Sequence, residues 1–100
     1  MKSDMMANER YTSVWDALAD SPEEAENLRI RAQLIRALVA AVEAWGVTQR
    51  EAAERLQVTQ PRLNDLLKGK IDKFSLDALV NLLAGADLQM EVEIKARDAA

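Results

Sequence analysis

From Leu28 to Val42 the apolar residues Leu28, Ala32, Ile35, Val39 and Val42 recur three or four positions apart, flanked by Leu34, Leu38 and Trp45. That spacing predicts one amphipathic helix with a wide buried stripe. Ser21-Pro22-Glu23-Glu24 supplies its start: Ser21 can cap, Pro22 sits in the first turn, where a missing N–H costs nothing, and Glu24 can close a capping box. Gly46 is placed to end it. A helix of about 24 residues is a rod of roughly 36 Å, long enough to serve as the spine of a small domain. Arg29, Arg31 and Arg36 lie along it with Glu26 and Glu43, and read as a solvated charged face.

Two short helices follow. Thr48 is an N-cap with Glu51 three residues on, so a helix should run from Gln49 to about Leu56. Thr59 opens the next, with Pro61 in its first turn and Gly69 placed to end it in a left-handed conformation. Only Gln57 and Val58 separate the two, which forces a steep crossing. Ala52, Leu56, Val58, Leu63 and Leu66 are spaced to bury one shared side. This is a helix-turn-helix pattern.

After the loop Lys70 to Phe74, Ser75 caps a further helix over Leu76 to Ala84, with Leu76, Leu79, Val80, Leu82 and Leu83 as core and Gly85 and Asp87 as breakers. The last patterned stretch, LQMEVEIK, alternates strictly: Leu88, Met90, Val92 and Ile94 fall on one face, Gln89, Glu91, Glu93 and Lys95 on the other. That is a strand signal. A lone strand has no partner for its backbone, so it should pair either with the segment Tyr11 to Val14 or, as the preferred reading, with the same strand of a second copy.

The ends are less patterned. Residues 1–10 read as a disordered tail in which Met5 and Met6 are alternative starts to Met1, residues 11–20 as an arm, residues 21–95 as the domain, and residues 96–100 as a second tail. The arm holds Tyr11 and Trp15, large apolar surfaces that either pack back on the body or anchor a partner protein.

Composition narrows the chemistry. One hundred residues allow one modest core. Histidine and cysteine are both absent, so disulfides, the usual zinc ligands and the commonest general base are unavailable. No catalytic constellation, cofactor motif, membrane span or leader is legible, which points to a cytoplasmic binding protein and away from an enzyme. The net charge is −4, but it is unevenly spread: residues 1–45 carry five basic and eight acidic side chains, residues 46–75 six and four, residues 76–100 two and five. The one net-positive segment is the helix-turn-helix. A local basic face can meet phosphates despite an acidic body.

At TQREAAERLQVTQPRLNDLLKGK, with the following FSLDALVNLL and the upstream VWDALADSPEEAENLRIRAQLI, the chain resembles the lambda-repressor-like (XRE) family of DNA-binding domains, and within it the small HigA-type antitoxins and related regulators. Ala53 matches the family's close-packed position between the two helices. Gln57 departs from the glycine usual at the turn, at a cost of roughly 1 kcal/mol if it adopts a left-handed conformation.

The resemblance implies a mainly α fold, a lambda-repressor-like helix-turn-helix bundle, to which the alternating pattern adds a C-terminal strand expected to pair across a homodimer. It implies that the helix from Gln60 enters the major groove of double-stranded DNA, with Gln60, Arg62, Asn64 and Asp65 at base edges and Gln49 and Thr59 near the backbone. The side-chain chemistry agrees, since amides pair with adenine and arginine with guanine. Lys68, Lys70 and Lys73 are the nearest phosphate neutralisers. Each has a plainer reading, because many helical bundles share these caps and buried leucines without meeting DNA. Asp65 reads as structural as readily as base-contacting, and Lys73 as a solvated lysine. Leu88, Met90, Val92 and Ile94 are the expected dimer face. The implied function is a sequence-specific regulator, a repressor; the alternative is an antitoxin that also silences a small ribonuclease toxin.

Overall fold

Ser21 opens the first helix in extended geometry, and its hydroxyl accepts the Glu24 backbone N–H at 3.1 Å. A computed structural model of the chain describes residues 20–97. The tail over 1–10, nearly all of the arm and the last three residues lie outside the described residues.

Helix α1 spans Pro22–Trp45, α2 Gln49–Leu56, α3 Gln60–Leu67 and α4 Leu76–Gly85, with a 3-10 turn at Ile71–Lys73 between α3 and α4. Three of the four helix starts repeat one device. Val47, Val58 and Phe74 each precede a Thr or Ser cap, and the fourth residue of the following helix (Ala52, Leu63, Leu79) is fully buried. An apolar residue before the cap packing toward that position is a hydrophobic staple, which sets the angle at which the chain enters the helix. The capping boxes are only half formed. At α2, Thr48 accepts the Glu51 N–H at 3.1 Å, and the Glu51 carboxylate makes no return bond; at α1, the Glu24 carboxylate reaches the N–H of Asp20, at 3.2 Å, rather than that of Ser21.

The helix ends repeat a device too. At Gln57, Gly69 and Asp87 the backbone turns left-handed, with φ of 58°, 69° and 62°. The next N–H in each case reaches five residues back: Val58 to Ala53, Lys70 to Asp65, Leu88 to Leu83, all at 2.9–3.0 Å. These paired bonds satisfy carbonyls that a helix end would leave bare. Gly46 ends α1 with φ 63°. Gly85, expected to break α4, is instead its last residue, and the reversal falls at Asp87.

The core is a single cluster. Leu38 of α1, Leu63 and Leu66 of α3, Phe74 and Leu79 are almost wholly enclosed, joined by Leu34, Ile35, Val42, Ala52, Ala53, Leu56 and Leu83. Within the expected stripe of α1, Leu28 and Val39 are only half-buried, because the helices pack on the Leu34–Leu38 side. Val80, expected in the core, is on the surface.

Beyond Leu88 no backbone hydrogen bond joins residues 89–97 to another described segment. A ladder needs a partner strand, and among the described residues this one has none.

Candidate nucleic-acid interface

The two helices of the motif are short, and their geometry is set by three small features. Gln57 reverses the chain in two residues, Ala52 and Ala53 let α3 approach α2 closely, and Thr59 starts α3 by accepting the Arg62 N–H at 3.2 Å. Leu63 and Leu66 turn inward, so the opposite side of α3 faces solvent.

That outward side carries Gln60, which is exposed, and Asn64, which is half-exposed; no hydrogen bond or ion pair commits either side chain. The two charged residues expected beside them are engaged. The Arg62 guanidinium donates to the Lys73 carbonyl at 2.6 Å and lies over the Phe74 ring, 4.0 Å from its centroid. Asp65 pairs with the Lys70 ammonium at 3.3 Å. Thr59 spends its hydroxyl on the cap. Gln49 is exposed at the start of α2, and Lys68, Lys70 and Lys73 are exposed around the end of α3 and the following turn.

The fold thus gathers Arg62, Asp65, Lys70 and Lys73 into one contact network, with Gln60 and Asn64 on the same short helix. Leu88, by contrast, leans against the chain's own core, and Met90, Val92 and Ile94 become steadily more exposed, at 42%, 65% and 87%.

Two comparisons bear on this geometry. A family model described as a helix-turn-helix domain matches residues 17–95. A solved structure named "Putative XRE Family Transcriptional Regulator" is similar at a TM-score of 0.68 and 30% identity, covering 77% of this chain and 86% of that one. The chain belongs to the XRE-like helix-turn-helix family. Among curated proteins none matches.

Within the helix-turn-helix α3 is the second helix. The sequence pattern missed two residues that the fold makes central. Arg31, read as part of a solvated face, donates to the carbonyls of Ile71 and Phe74 at 3.0 and 3.2 Å, and to the Asn27 side chain at 2.6 Å. Phe74, read as loop, is 1% exposed. Its signal was present in the sequence: an apolar residue directly before the Ser75 cap is the staple position. Nothing local marks Arg31, whose carbonyl partners lie 40 or more residues away.

Proposed function

We propose that this protein is a DNA-binding transcriptional regulator, a repressor, that docks α3 in the major groove and reads base edges with Gln60 and Asn64. The observation that carries the reading is the uncommitted state of these two amides on the outward side of α3, within the one net-positive segment of the sequence. An amide side chain can pair bidentately with adenine. Lys68, Lys70 and Lys73 neutralise phosphates, with Gln49 and Thr59 as backbone contacts at the starts of the two helices. Arg62 and Asp65 can join at base edges only by giving up the internal partners they now hold.

The protein acts as a homodimer in this reading, since a two-fold assembly suits a palindromic site with half-sites about 34 Å apart. Support comes from residues 89–97, whose backbone has no partner among the described residues and whose Met90, Val92 and Ile94 are open, beside a groove against α1 lined by Ile30, Leu34 and Ala37. A strand of a second copy would satisfy both features. The same surface would serve an antitoxin's protein partner, and a chain that stays monomeric until such a partner is added would favour that role.

The test is fluorescence anisotropy with a duplex from upstream of the chain's own gene against a scrambled duplex, at two salt concentrations, with Gln60→Ala/Asn64→Ala alongside. Tight, salt-sensitive binding that loses its preference in the double variant is the expected result. Equal binding of both duplexes by the unaltered protein would defeat sequence-specific reading.

A further inference from the structure

The turn between α3 and α4 is held by two arginines from elsewhere in the fold. Arg31, reaching from α1, donates to the carbonyls at both ends, Ile71 and Phe74. Arg62, reaching from α3, donates to the carbonyl between them, Lys73. The Ile71 carbonyl also accepts the Phe74 N–H, at 3.2 Å, whereas among the described residues no backbone N–H reaches the Lys73 and Phe74 carbonyls, and a guanidinium with five N–H donors in a rigid fork is suited to collect them. The Phe74 ring fixes the turn to the core and offers its face to Arg62. Lys70 is steadied by Asp65 and by its own N–H bond to the Asp65 carbonyl at 3.0 Å. This framework displays Lys70 and Lys73 outward, with the exposed Asp72 between them.

We infer that Arg62 is a positioning residue of the DNA interface, one that fixes the Lys70–Lys73 turn as a preset phosphate clamp instead of reading a base itself. The inference rests on the DNA-binding reading above. Its physical basis is that Arg62 already makes a charge-assisted bond at 2.6 Å and a stacked contact at 4.0 Å. Swinging out toward a guanine would forfeit both, strip the Lys73 carbonyl of its partner and uncover the ring. Loose lysines must be ordered when they meet phosphate, whereas a turn pinned at three of its four carbonyls from Ile71 to Phe74 spares the backbone that cost.

The experiment is a mutant cycle on full-length protein, read by anisotropy with the upstream and scrambled duplexes well below the melting temperature. The variants are Arg62→Ala, Arg62→Lys, Lys70→Ala/Lys73→Ala and the triple combination. Arg62→Ala should weaken both duplexes by the same factor, about five- to tenfold, leaving their ratio unchanged. The lysine pair should then cost little more in its presence, because the clamp is already lost. Lysine at 62 should not rescue, since it can neither fork nor stack. A ratio collapsing toward one in Arg62→Ala, with effects that multiply independently, would overturn the inference and make Arg62 a base reader. Amide hydrogen exchange of residues 70–74 is measured alongside and needs no DNA. Faster exchange in Arg62→Ala is expected, and unchanged protection would overturn the positioning role. Failure of the unaltered protein to bind either duplex would instead overturn the DNA-binding reading, and the clamp with it.

Discussion

Gly85 of α4 lies so close to the end of α2 that a β-carbon on it would stand 3.1 Å from the Arg55 carbonyl oxygen and 3.3 Å from the Leu56 α-carbon. Its backbone is helical, so the missing side chain serves proximity and not an unusual dihedral. Alanine there gains helix propensity, at most about 1 kcal/mol. It also presses on backbone atoms that cannot swing aside, at a cost of about 1–3 kcal/mol. Gly85→Ala should therefore lower stability by about 1 kcal/mol, visible as a fall of roughly 4–8 °C in Tm. An unchanged or higher Tm would mean that α2 and α4 separate more easily than this spacing implies.

Gln57 presents the opposite case. Its φ of 58° places a side chain where only glycine is at ease. Gln57→Gly removes a strain of roughly 1 kcal/mol while loosening the unfolded chain, so a gain of several tenths of a kcal/mol is expected in urea titration. Gln57→Val, β-branched at positive φ, should lose stability. If glycine and valine behaved alike, the left-handed turn between the two helices would be wrong.

Arg31 ties the spine to the 3-10 turn. Arg31→Ala leaves the Phe74 carbonyl without its donor in a half-buried setting and the Ile71 carbonyl with the Phe74 N–H alone, which should cost about 1–3 kcal/mol. Arg31→Lys should recover only part of that, because an ammonium cannot span both carbonyls and the Asn27 side chain in one plane. Chemical denaturation of the three proteins decides it; equal midpoints would return Arg31 to the solvated face.

The pair Glu26–Arg29 on α1 sets a pH dependence. Two bonds join them, at 3.0 and 2.6 Å. The Arg29 guanidinium holds the Glu26 carboxyl below the usual carboxylate range, and Glu26 in turn raises Arg29. A carboxyl lowered on folding adds stability at pH values above its unfolded range and loses it as pH falls through the lowered value. Both side chains are more than a third exposed, so solvent screening keeps the effect to a few tenths of a kcal/mol. Glu26→Gln should erase that increment at neutral pH and leave stability at strongly acid pH unaltered. A variant that lost the same amount at every pH would point to packing instead of charge.

The proposed dimer is tested at Val92, 65% exposed in the single chain. A charge on the face buried between two strands would be expelled, so Val92→Asp should sediment as a monomer where the parent is a dimer, with the melting profile of each subunit little changed. A dimer that survived the substitution would place the interface away from residues 88–94.

The sequence by itself determined what is local. Caps at Ser21, Thr48, Thr59 and Ser75, left-handed ends at Gly46 and Gly69, and apolar spacing at three or four residues set four helices to within a residue or so, because each signal acts within one or two turns. The outward amides of α3 were legible for the same reason: Leu63 and Leu66 define the inner face, and the outer one follows. Only the tertiary structure decided where Arg31 and Arg62 point, that Val80 lies outside the core, and that Gly85 is a packing residue. Those outcomes depend on carbonyls and backbones brought alongside from distant positions, and no periodicity encodes them. The alternation over Leu88 to Lys95 falls between the two. Its residues prescribe a strand, but a strand is completed by a partner's backbone, and the described residues of one chain do not contain it.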